Sequence, residues 1–128
     1  MKIDKKNPNP GVWFDHEGDE KFSLRLRIPI GRAHREIMAQ VTTSEDKEVN
    51  GKIEKNKITD TELLEALLID YCIADWKGFT DDKGKLKCTL ENKKFLINEV
   101  PVVAAFYLRS INKLQDMLTR RAGEAEKN

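Results

Sequence analysis

The chain has 128 residues, of which 39% are hydrophobic and 35% charged, and its 23 Lys and Arg nearly balance 22 Asp and Glu for a net charge of +1. That length suits one domain with one core. The charge balance excludes the basic excess of a dedicated nucleic-acid binder, and no apolar run reaches the roughly 18–20 residues needed to span a bilayer.

Residues 1–10 are polar, carry Pro8 and Pro10, and read as a flexible arm. They lack the apolar stretch of a signal peptide, so a cytoplasmic location is expected. Val12, Trp13 and Phe14 form a short strand candidate, followed by a turn at Gly18. Phe22, Leu24, Leu26 and Ile28 then alternate with Ser23, Arg25 and Arg27. This period of two predicts a strand with one buried face, pairing with the first as an antiparallel hairpin and ended by Pro29.

Residues 31–42 read as a short helix with Ala33, Ile37 and Val41 on one side. Residues 43–57 are dense in charge, poor in apolar side chains and interrupted by Gly51. They are expected to be a charged mobile loop.

Thr59, Asp60, Thr61 and Glu62 have the pattern of a capping box, with a Thr as cap and Glu62 reaching back. The helix it opens is expected to run to about residue 75. Its apolar residues Leu63, Leu64, Leu67, Leu68, Ile69, Tyr71 and Ile73 surround most of its circumference, which predicts a central buried helix. Trp76 then stands at a hinge, and residues 79–88 make a small β excursion around Asp81, Asp82 and Gly84. Thr89 caps the next helix, with Phe95 and Leu96 facing inward, and Pro101 opens the last helix, expected to end near Arg121. Residues 122–128 read as a frayed tail. The sum is a mainly helical α+β domain over residues 11–121, with an N-terminal β-hairpin and a small β excursion between helices.

Little of this carries chemistry. Cys72 and Cys88 match no metal or redox spacing and read as free thiols. Asp75, Asp81, Asp82 and Glu91 lack the alternation of a cation loop, and a lysine sits among them. His34 lies between Arg32 and Arg35 with no nucleophile elbow nearby; His16 lies in a turn. No catalytic residue, metal ligand or cofactor is expected. Arg25, Arg27, Arg32 and Arg35 form a basic strip that could meet phosphate or an acidic partner.

One resemblance reaches most of the chain. Ile73-Ala74-Asp75-Trp76-Lys77-Gly78-Phe79, Asp82-Lys83-Gly84-Lys85, Cys88-Thr89-Leu90-Glu91-Asn92-Lys93-Lys94 and the Pro101 helix resemble tail assembly chaperones of long-tailed bacteriophages and prophages. The Trp13-Phe14 hairpin is similar to the opening β unit of such proteins. The resemblance implies a non-enzymatic protein in the cytoplasm of an infected or lysogenic bacterium. It would bind the tape measure protein, the tail tube protein or both during tail morphogenesis, with self-association compatible and with neither membrane nor nucleic acid as partner. The family offers no binding motif to carry over. The docking face expected on physical grounds is the C-terminal helix stripe of Phe106, Tyr107, Ile111, Leu114, Met117 and Leu118. The alternatives are a head–tail joining or tail-terminating component, or a small nucleic-acid-associated regulator using the arginine strip.

Overall fold

The first two strands pair as the alternation requires. In a computed structural model that describes residues 1–127, β1 (Val12–Asp15) runs antiparallel to β2 (Ser23–Leu26), with Trp13 opposite Arg25 and Phe14 opposite Leu24. Leu24 and Leu26 are completely buried, each contributing about 2–3 kcal/mol of transfer free energy. The third strand of this sheet is β5 (Ile73–Lys77), which pairs antiparallel with β2 and gives the order β1-β2-β5.

That strand corrects the expected central helix. The helix α2 (Thr61–Cys72) stops where β5 begins, and Trp76 is a buried strand residue opposite Leu24, not a hinge. No glycine or proline ends α2. Instead its last three carbonyls are taken by donors from elsewhere. Lys93 Nζ donates to the Asp70 carbonyl at 2.9 Å, Arg27 Nε to Tyr71 at 2.8 Å, and the Arg27 backbone N–H to Cys72 at 2.9 Å. Helix ends leave such carbonyls unpaired, and cations there also suit the helix dipole. The boundary is thus set by tertiary contacts. Nor is α2 buried on all sides: Ile69 and Cys72 are buried, while Leu63 is exposed. Its cap is Asp60, whose Oδ1 accepts from Leu63 N at 3.1 Å; Thr59 ends a strand.

After β5 come the short strands β6 (Thr80–Asp81) and β7 (Gly84–Lys85), as expected, then α3 (Leu90–Glu99) and α4 (Pro101–Lys127). Thr89 Oγ1 accepts from Asn92 N at 3.3 Å and caps α3. Leu96 points inward but Phe95 is 57% exposed. The last helix continues to Lys127, past the expected end near Arg121; Asn128 lies outside the described residues.

The fold is α+β, with an N-terminal β-hairpin. The chain divides into two compact units, Met1–Ile28 with Ile69–Asn128, and Pro29–Leu68. The first holds the core of Phe22, Leu24, Leu26, Ile69, Cys72, Ile73, Trp76, Leu96, Val103, Phe106, Tyr107 and Leu114. The end of the N-terminal arm is tied to it, since Asn9 Nδ2 donates to the Ile28 carbonyl at 3.0 Å and to the Tyr71 hydroxyl at 3.2 Å.

The second unit contains α1 (Gly31–Val41), with Ile37 and Val41 buried, and corrects the expected loop. Residues 43–57 lie in an antiparallel hairpin of β3 (Thr42–Val49) and β4 (Lys52–Thr59). Asn50 and Gly51, both at positive φ, make its two-residue turn. Opposite charges face each other across it, Asp46 against Lys55 and Lys47 against Glu54, so a charge-dense segment pairs without apolar cover.

Candidate protein-binding groove

β1 is an edge strand, because β2 occupies one of its sides and, among the described residues, no strand occupies the other. Along it lies an open groove of about 710 Å³. The strand wall is Val12, Trp13, Phe14, Asp15 and His16, continuing into Glu17 and Gly18; the helix wall is α4, through Phe106, Arg109, Ser110, Lys113 and Met117. His16 closes the inner corner. Its ring stacks on Phe22 at 4.6 Å and meets Phe106 edge-on at 5.2 Å, while Nδ1 lies 2.6 Å from the Glu20 carbonyl.

The expected docking stripe is divided by this arrangement. Phe106, Tyr107 and Leu114 are buried in the core, so most of the stripe is packing surface and not a free face. Ile111 is half-buried against the same core. Met117 lines the groove half-buried, and Leu118 is exposed. The Tyr107 hydroxyl and the Cys72 thiol influence each other's titration. Burial pushes both the Cys72 thiol and the Tyr107 hydroxyl above their ordinary ranges, so both stay protonated at neutral pH. Burial raises the Cys88 thiol as well.

The four arginines of the strip each have surroundings of their own. Arg27 is spent on the end of α2, with its guanidinium 4.1 Å over the Tyr71 ring. Arg25 lies 5.9 Å over Trp13, and Lys77 Nζ lies 4.3 Å over the same ring. Arg32 pairs with Glu36 at 3.0 Å, and Arg35 and His34 are exposed; these belong to the second unit. Asp81 Oδ1 accepts from Lys83 N at 2.8 Å, the turn chemistry expected of it. Among the described residues no three His, Cys, Asp or Glu side chains converge as a metal site.

Sequence reasoning passed over the groove's own residues. It gave no role to Arg109 and Lys113, and read Trp13 only as part of a hairpin. The signal available was their spacing: two cations one helical turn apart, followed one turn later by Met117. What the site offers chemically is recognition, through backbone groups on one wall and cations with a thioether on the other. No family model, curated protein or solved structure matches this chain. Among the described residues no helix is long and apolar enough to cross a membrane.

Proposed function

We propose that this chain is a non-enzymatic assembly chaperone of phage or prophage tails, working in the bacterial cytoplasm and binding the tape measure protein, the tail tube protein or both before assembly. The observation that carries the reading is the groove between an open strand edge and α4, a surface suited to holding another polypeptide. The resemblance of residues 73–101 to tail assembly chaperones supplies the particular role. The charged composition suits a protein that must keep an aggregation-prone partner in solution.

The test is co-expression with tape measure and tail tube proteins of a phage or prophage that encodes this chain. The chaperone is expected to co-purify with one of them, to be required for intact tails, and to be missing from purified particles. Retention in the particle would mark a joining or terminating component instead. Failure to bind either protein would remove the tail role.

A further inference from the structure

The ladder between β1 and β2 decides which backbone groups of β1 are free. His16 N donates to the Phe22 carbonyl at 2.9 Å, continuing the register in which Phe14 faces Leu24 and Val12 faces Leu26. Hydrogen-bonded and non-bonded pairs alternate in an antiparallel ladder. Residues 12, 14 and 16 therefore turn their N–H and C=O groups toward β2. Trp13 and Asp15 turn theirs outward, where they have no hydrogen-bond partner among the described residues. Within the four residues of β1 no proline, lysine or bulge guards that edge.

The helix wall opposite is graded. Arg109 and Lys113 are exposed, without an ion-pair partner among the described residues, and Met117 follows one turn on. Residues four apart on a helix lie about 6 Å from each other. Alternate residues of a strand repeat at about 6.6–6.8 Å, a spacing close to that of successive turns of a helix.

We propose that the free edge of β1 takes an extended segment of a partner protein as a fourth strand, bearing two acidic side chains at alternate positions for Arg109 and Lys113 and an apolar one next in line for Met117. Trp13 and Asp15 supply the main-chain hydrogen bonds, and the cations and Met117 supply the selectivity. The inference rests on reading the chain as a protein-binding module and names the chemistry of what the groove binds.

The probe is the peptide Thr-Glu-Thr-Glu-Thr-Val-Thr, with its reversed sequence and a Lys-for-Glu counterpart, titrated into the full isotope-labelled chain. One of the two acidic peptides is expected to shift the Trp13 and Asp15 amides and slow their hydrogen exchange. The lysine peptide should bind at least about tenfold more weakly. Arg109→Glu with Lys113→Glu, both at exposed positions, should invert that preference. Asp15→Pro removes an edge donor and no ladder bond, and should weaken the acidic peptide similarly.

Absence of binding, equal binding of the lysine peptide, shifts confined to another surface, or a chain that dimerises through β1 would each overturn the proposal. The tail role fails separately. A chain that captures a tail protein but ignores the peptides keeps its role and loses this contact. One that binds the acidic peptide but neither tail protein keeps the groove and loses the role.

Discussion

Arg27 holds Tyr71 twice, donating from Nε to its carbonyl at 2.8 Å while its guanidinium lies 4.1 Å over its ring. The planar fork can do both at once, and an ammonium cannot. Arg27→Lys is therefore expected to be nearly as harmful as Arg27→Ala, each costing about 2 kcal/mol through one charge-assisted hydrogen bond and one cation–π contact. Urea denaturation of the three proteins checks this. Lysine rescuing full stability would mean that charge alone matters.

Gly78 should be irreplaceable and Gly84 tolerant of change in its surroundings. Both have positive φ, but a Cβ on Gly78 would meet the Lys21 carbonyl oxygen at 2.6 Å and Phe22 Cα at 2.9 Å, whereas at Gly84 it meets open space. Gly84→Ala is expected to cost about 1 kcal/mol for the left-handed backbone alone. Gly78→Ala adds a clash with backbone that cannot move aside, and should cost at least about 2 kcal/mol more. Thermal melts of the pair measure the difference.

The α4 stripe should separate into folding and surface positions. Phe106→Asp and Leu114→Asp bury a carboxylate in the core and are expected to unfold the chain, at roughly 4 kcal/mol or more each. Leu118→Asp, at a position 42% exposed, should change stability by no more than about 0.5 kcal/mol. Circular dichroism at rising temperature distinguishes them. A folded Phe106→Asp protein would return this face to the candidates for docking.

Alkaline pH should destabilise the chain through Cys72 and Tyr107. Burial raises both above their ordinary values of 9.0 and 10.0, so the unfolded chain releases protons there before the folded one does. Their stabilisation is complete below pH 9.0, the lower unfolded value, and is lost as pH climbs above it. The slope approaches about 1.4 kcal/mol per pH unit for each group. Denaturation midpoints between neutral pH and pH 11 read this out, and Cys72→Ala should flatten the earlier part of the decline.

The sequence was most legible where local chemistry and tertiary structure agree. The alternation from Phe22 to Ile28, the Thr89 cap and Pro101 at the head of α4 each state their structure within a few residues. Legibility failed where distant partners decide. Residues 73–77 continue the apolar helical run of α2, and only the waiting edge of β2 and the donors on Arg27 and Lys93 turn them into a strand. The hairpin of residues 42–59 was hidden differently, because its opposed charges pair across strands and leave no apolar alternation to read. The groove was the least visible feature. Its walls lie far apart in the chain, and an open edge is a property of the sheet order, not of any one strand.

The Arg27–Tyr71 hydrogen bond also sets a clock on synthesis. Arg27 and Tyr71 are separated by 44 positions, and bringing such ends together costs about 3 kcal/mol of loop-closure entropy. The β1–β2 hairpin leaves the ribosome well before the strand that completes its sheet and the α4 residues that bury Phe22. For that interval the side of β2 that β5 will occupy is open to whatever extended chain lies nearby. A nascent chain of this design has reason to keep its first hairpin short, which a four-residue β1 and a four-residue β2 achieve.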